Sequence, residues 1–443
     1  MKWFLEKFME FNDRPAVIDK GKTYSYSELY TQILTTTRNL QSFDLNSPGV
    51  IALTGRFSFK LIAAFFALFE NNHSIAILPE KDTECLSRIN LLEPDASIII
   101  TEEQTEIVKL SSHARSDLLK TMISSGHSGM VLFTSGTTGK PKAILHDLDA
   151  LFEKYRRNYT KDLNCLPLLG IDHIGGFDIL ASQLAIGATI TIPEDRSPQG
   201  IAAAIERHRV NVISATPTFL NLFLLSEVFK EFNLTSLSII GYGSEPMPDW
   251  LLKQLNHTFP GVSLQQKYGI SETNAIRIKS KSDESLFFKI DDPQVEFQIV
   301  ENELWIKSPN LFHGYLGDKE NEPCDGWYKT GDIVEKDDEG YLHILGRKSD
   351  IINVGGEKVF PSEVEQVIIQ LPYVNDCRVY GEKSLITGNI VVADIHSTST
   401  LDLNNQRKEI RKYLLDRLAR HKIPVKINFV ESIEYSDRLK KKR

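Results

Sequence analysis

The stretch whose reading decides the fold is Val131-Leu132-Phe133-Thr134-Ser135-Gly136-Thr137-Thr138-Gly139-Lys140-Pro141-Lys142. An apolar run of strand type gives way to five hydroxyl and glycine residues, then a second glycine and a Lys-Pro-Lys. Glycine accepts positive φ and lets backbone approach a ligand closely. Successive N–H groups in such a turn make an anion-binding concavity, and the hydroxyls add donors around it. The segment is built to hold phosphate. It is not the nucleotide loop that opens a helix, because that motif puts Ser or Thr directly after Gly-Lys. Here Pro141 follows Lys140, and Lys142-Ala143-Ile144-Leu145 reads as another strand. Strand, hydroxyl-rich loop, strand is a different device. A plain surface turn would explain the Ser-Gly-Thr-Thr-Gly core alone, but not the Lys-Pro-Lys attached to it.

A chain of 443 residues exceeds the ~250–300 at which single cores stop growing. With 41% hydrophobic and 25% charged residues it has an ordinary globular composition. A net charge of −8 offers no basic face for nucleic acid. Cys85, Cys165, Cys324 and Cys377 are scattered without Cys-x-x-Cys or metal spacing, which points to reduced thiols and a cytoplasmic setting. Charge interrupts the N-terminal residues too early for a signal-peptide core. The longest apolar run, 61–69, is far short of the ~20 residues of a membrane span and predicts a buried helix.

Up to about residue 125, short β-rich apolar segments (50–53, 74–78, 97–100) alternate with helical ones (26–40, 59–71). That alternation predicts parallel sheet with crossover helices. Beyond the phosphate loop, strand-like runs end in turns of chemical interest. One carries His173, and another reads Gly241-Tyr242-Gly243-Ser244-Glu245-Pro246-Met247. A third is Gln266-Lys267-Tyr268-Gly269-Ile270-Ser271-Glu272-Thr273, followed by Trp327-Tyr328-Lys329-Thr330-Gly331-Asp332 and Leu345-Gly346-Arg347-Lys348-Ser349-Asp350.

In this order, the motifs resemble the AMP-forming adenylating superfamily of acyl-CoA synthetases, adenylation domains and beetle luciferases, over nearly the whole chain. The resemblance implies an α/β fold: a large N-terminal domain of parallel and mixed sheets with flanking helices (1–346), a hinge (347–350), and a small mobile α+β C-terminal domain (351–443). It implies attack of a carboxylate on the α-phosphate of ATP, giving acyl-AMP and pyrophosphate, and then displacement of AMP by a thiol, usually that of CoA. ATP would be held by Thr134, Ser135, Gly136, Thr137, Thr138, Gly139 and Lys142, by the adenine turn Gly243, Ser244, Glu245 and Pro246, and by Tyr268, Gly269 and Ser271. Glu272 would supply a hard oxygen for magnesium. Asp332, with two acceptor oxygens, and Arg347 would hold the ribose. His173 would flank the acyl group, Gly355 and Gly356 would pass the pantetheine arm, and Lys440 would drive adenylation.

Departures from the pattern are Ser271 for Thr, Asn302 for Gly, Ser349 where the pivot often is Asp or Lys, and Glu434, Ser436 and Leu439 for Pro, Thr and Gly near the end. Lys441 is the neighbouring alternative to Lys440. The turns most resemble compact fatty-acid–CoA ligases. The Asp that holds an amino group in amino-acid adenylation has no match, since Asp178 lies too near Gly187. Two other readings stay open: a separate acyl-carrier protein as thiol acceptor, and a nucleotide-binding protein that has lost ligation.

Overall fold

The computed structural model describes residues 2–79, 85–110, 115–135, 141–317, 322–399 and 402–433. Its centre is a seven-stranded sheet in which Val50–Gly55 lies between Ser74–Leu78 and Ala96–Ile100, all parallel, with Gly129–Ser135 parallel on the far side of Ser74–Leu78. These strands are apolar on both faces because both faces are covered. The apolar run of 61–69 lies in the helix Phe59–Glu70, buried almost all round, with the Ser58 side chain accepting from the Leu61 N–H. The helix Tyr26–Ser42 begins on a reciprocal Ser25–Glu28 capping box. A second seven-stranded sheet has at one end the parallel run Ser263–Gln266, Ile239–Tyr242, Val212–Ala215, Asn164–Pro167. An aromatic core joins the layers: the Phe152 ring lies 4.5 Å from Phe4 and 4.4 Å from Phe69.

A third, antiparallel sheet sets Tyr328–Lys336 beside Leu342–Arg347, with Asp332 directly opposite Arg347. After a short 3-10 turn at Lys348–Asp350, residues 352–427 form a separate hydrophobic cluster. There Val374–Ser384 and Gly388–Ser397 pair as a long hairpin, flanked by helices Pro361–Ile368 and Leu403–Leu415. Pro361 occupies the first turn, as its fixed φ favours. This α/β architecture, with a large sheet domain and a smaller C-terminal one, is the expected one. Among the described residues no helix is long and apolar enough to cross a membrane.

The phosphate-loop strands form an antiparallel hairpin, from Gly129↔Asp147 to Ser135↔Pro141. Gly136, Thr137, Thr138, Gly139 and the Ser135 side chain lie outside the described residues. Strand alternation puts Ala143 and Leu145 in the core with Val131 and Phe133, and leaves Lys142, Ile144 and His146 on the other face. There His146, 1% exposed, donates from Nε2 to the Ser271 carbonyl at 2.7 Å. This bond ties the phosphate-loop hairpin to the turn that bears Glu272.

Burial pushes the His146 imidazole down from 6.5 to about 4, so it is neutral in the fold. Between those values the unfolded chain binds one more proton than the folded one, so this group's stabilisation is complete above 6.5 and is lost as pH falls toward 4. The amount at stake is about 3 kcal/mol. In His146→Gln, denaturant unfolding at pH 4.5 and 6.5 should show the pH slope reduced by about one proton, roughly 1.4 kcal/mol per unit. An unchanged slope would assign the acid sensitivity to other groups.

Candidate active site

A cavity of about 760 Å³ opens where the three sheets meet. Thr134 and Lys142 reach it from the phosphate-loop hairpin, His173 and Gly175 from the start of the helix Ile174–Leu184, and Gly243 and Ser244 from the turn after Ile239–Tyr242. Tyr268, Gly269, Ser271 and Glu272 line another wall, and Arg347 lies at the hinge end. Segments far apart in sequence thus converge here, including ten of the expected site residues. A neighbouring cavity of about 490 Å³ is lined by Gly243, Ser244, Glu245, Pro246, Tyr268, Asp332 and Arg347, and by small-domain residues including Phe360, Ser362 and Lys422.

The glycine at 243 has a steric reason. A Cβ there would stand 2.7 Å from the Lys267 carbonyl oxygen. At Gly269 it would stand 2.3 Å from the Asn274 carbonyl oxygen. Bare backbone at 243 thus lets its turn lie against Lys267, and bare backbone at 269 lets that strand close on Asn274 in its own hairpin. Glu245 has a job of its own: its Oε2 accepts from the Thr218 N–H (3.2 Å) and hydroxyl (2.7 Å) at the start of the helix Pro217–Leu225. That carboxylate holds the turn at 243–246 in place, and Ser244 beside it sits at φ 67°.

Glu272 is presented by two tyrosines that the sequence motifs did not single out. The Tyr315 hydroxyl donates to Glu272 Oε1 at 2.8 Å and lies 3.1 Å from the Tyr328 hydroxyl. With its one proton directed at the carboxylate, Tyr315 accepts from Tyr328. Burial, reinforced by Glu272, raises both phenols, so they stay protonated donors. The strand Gly314–Leu316 brings Tyr315 here by pairing with the phosphate-loop hairpin, Tyr315 opposite Ile144. Lys142 Nζ lies 5.5 Å from the same ring. The signal in the sequence was Tyr328, in the Trp327–Asp332 motif read for Asp332.

Asp332 is 4% exposed. Its Oδ2 accepts from the Tyr268 hydroxyl (2.8 Å) and its Oδ1 pairs with Arg347 Nε (3.0 Å). Burial pushes this carboxyl upward, and the guanidinium opposes it. Each oxygen keeps a second lone pair for an outside donor. Tyr268 packs one side on Phe288, 5.4 Å between centroids. His173 is the residue before the first helical turn of Ile174–Leu184, buried against the cavity, and makes no side-chain cap bond. Asp178, one turn further on, binds Lys154 Nζ (3.2 Å) and the Tyr155 hydroxyl (2.7 Å), so its charge is matched internally.

Gly355 and Gly356 stand apart from both cavities. They form the two-residue loop between Val354 and Glu357, which pair across the hairpin, with φ of 60° and 94°. Positive φ at both positions is the type I′ hairpin geometry. A Cβ at either would meet nothing within 4 Å. Lys440 and its neighbour Lys441 lie outside the described residues.

Comparison with known proteins agrees with this arrangement. The family model for the AMP-binding enzyme matches residues 4–316, and that for the AMP-binding enzyme C-terminal domain matches 363–438. The 2-succinylbenzoate–CoA ligase of Bacillus cytotoxicus is 25% identical over 97% of this chain and 95% of its own, and that of Bacillus subtilis 26% over 96% and 93%. Among solved structures, the Bacillus subtilis o-succinylbenzoate CoA synthetase with its acyl-adenylate superposes with a TM-score of 0.78 at 22% identity, covering 99% of this chain and 96% of that one. ATP-bound MatB from Rhodopseudomonas palustris gives 0.81 at 21%, covering 99% and 97%. The Bacillus relatives are named for 2-succinylbenzoate, so the leaning toward fatty acids is not supported. The chain belongs to the AMP-binding enzyme family, as an AMP-forming acid–thiol ligase.

Proposed function

We propose that the chain activates an aryl carboxylic acid, with 2-succinylbenzoate the first to test, as its acyl adenylate and then transfers the acyl group to the thiol of CoA. The observation that carries this is the convergence of Lys142, His173, Glu272 and Arg347 on one cavity. ATP would place its base against the bare backbone of Gly243 and Gly269, its ribose on Asp332 and Arg347, and its phosphates toward the Thr134–Lys142 hairpin, Ser271 and Lys142. Developing negative charge on the α-phosphate oxygens is then met by fixed donors, which is where catalysis gains most. Lys440, on the resemblance of the C-terminal residues, would add a cation there. His173 would border the acid.

Glu272 fits a magnesium ion: it is a hard carboxylate held by a tyrosine pair at the cavity wall. When bound, that ion would neutralise phosphate charge. The relatives' names favour CoA over a carrier protein as acceptor. Cys165 and Cys377 are buried and Cys324 is exposed, all as free thiols, which suits the cytoplasm. Pyrophosphate release and acyl-AMP mass spectrometry across a panel of aryl and alkyl acids test the reading. Release with none of them would sink it.

Two variants probe the roles. Glu272→Gln keeps an acceptor for Tyr315 but removes the charge. The magnesium needed for half-maximal pyrophosphate release should rise about tenfold or more, since a hydrogen bond or contact to a charged group is worth roughly 1.5–3 kcal/mol. An unaltered titration would remove Glu272 from the metal. For the thiol step, Gly356→Leu would strain a turn at φ 94°, so Gly355→Asn is the cleaner change because asparagine tolerates the left-handed region. It should leave thermal stability and first-turnover pyrophosphate near normal, yet lower thioester output and let acyl-AMP accumulate. Normal thioester output would confine both glycines to turn formation.

A further inference from the structure

His146 is a buried histidine to which the reaction so far gives no part. Its Nε2 lies 2.7 Å from the Ser271 carbonyl. A carbonyl only accepts, so the ring proton sits on Nε2 and Nδ1 is a bare acceptor. That Nδ1 is buried and has no partner among the described residues. Leaving such an atom unmatched is costly, and an apolar side chain would fill the same place without that cost. Packing alone is therefore a poor reason for a histidine here. What the ring does make is one directed bond, to the residue before Glu272.

That bond belongs to a closed ring of contacts. The Glu272 carbonyl accepts from the Phe312 N–H at 2.9 Å, and the next residue, His313, donates its N–H to the Leu145 carbonyl at 2.7 Å, beside His146. The Tyr315 hydroxyl holds the Glu272 carboxylate itself, and its strand Gly314–Leu316 runs antiparallel along Pro141–Asp147. On one face of Pro141–Asp147, Lys142, Ile144 and His146 follow at two-residue spacing, ~7 Å each. Lys142 reaches the cavity, Tyr315 stands opposite Ile144, and His146 binds the turn. One strand thus carries the phosphate-side cation near one end and the tie to the carboxylate's turn near the other.

We propose that His146 is a positioning residue, which through Ser271 fixes the Glu272 carboxylate relative to Lys142, so that metal and phosphates meet preset partners. The proposal rests on the ligase reading above and adds a residue to its first step. Preset groups need no reorganisation as charge develops, and a misplacement of ~1 Å can cost about 10²-fold in rate.

The test uses the full chain and two readouts: calorimetric ATP binding without acid, with and without magnesium, and pyrophosphate release. In His146→Leu, the factor by which magnesium strengthens ATP binding should fall roughly 2- to 10-fold, the worth of one neutral hydrogen bond. The kcat for pyrophosphate release should fall about 10- to 100-fold, with KM for the acid unmoved. His146→Gln, whose amide can donate from the Nε2 position, should keep both near normal. His146→Asn is too short to reach, should behave like the Leu variant, and replaces it on the same criteria if that variant does not fold. The deciding arm is a paired background: in Glu272→Gln, adding His146→Leu should leave the magnesium factor almost unchanged, because the group being positioned is already gone. Equal loss in both backgrounds overturns the proposal and makes His146 a support of the fold. So does an unaltered magnesium factor and kcat in His146→Leu, or an unaltered chain whose ATP binding ignores magnesium. Pyrophosphate release with no acid, beside magnesium factors that shift as expected, would remove the ligase reading and leave His146 its place at the nucleotide.

Discussion

A buried carboxylate, Asp332, fixes the half of the site that the hinge would otherwise loosen. Its two oxygens clasp Tyr268 from the turn at 266–273 and Arg347 from the last strand before the small domain. Arg347 is nearly half exposed, so water screens the pair, but without it the buried carboxylate would be left desolvated and unmatched. Arg347 is further held through Nη1 on the Thr330 carbonyl at 2.7 Å. One residue on, Lys348 pairs with the buried Glu303 at 2.8 Å. The large domain is therefore pinned up to residue 348, at the start of the 3-10 turn Lys348–Asp350, in which the Ser349 hydroxyl donates to Asp350 Oδ1 at 2.9 Å. The same buried group thus holds the turn at 266–273 to the end of the last strand before the small domain.

Much of this was legible in the chain. The strand–loop–strand character of 131–142, the core helix at 59–70 and the order of the turns are local signals, set by glycine, proline and apolar period. What stayed hidden depends on register between distant strands. Tyr315 matters because it pairs opposite Ile144 and so stands over Lys142 and Glu272. His146 matters because two-residue alternation from Lys142 turns it toward Ser271. Neither fact has a signature within a few residues. Glu245 was read for ligand contact; in the fold it lines a cavity, and its Oε2 also accepts from the backbone and hydroxyl of Thr218, a tie that no local signal announced. The glycines at 355 and 356 carry the same ambiguity, since a two-residue hairpin loop requires them whatever else passes by.

The small domain turns one face to the cavities and keeps the other away. Phe360, Ser362, Glu363, Gln366 and Lys422 line the cavity of about 490 Å³, whereas the Gly355–Gly356 turn lines neither that cavity nor the one of about 760 Å³. The contact that holds this arrangement is thin. The Ser362 hydroxyl donates to the Leu345 carbonyl at 3.1 Å, and the Phe360 ring lies against bare Gly346, 3.1 Å from where a Cβ would stand. A neutral hydrogen bond of this kind is worth about 1 kcal/mol net, and one ring face adds a few more at most. Against the two buried carboxylates, Asp332 and Glu303, that would be left unmatched without their cations, that is the weaker link. A rotation that exchanged the two faces would therefore break at Phe360 and Ser362 and leave the Asp332 pair whole, so that, on the ligase reading, an adenylate made in the cavity would stay held while the second face came round.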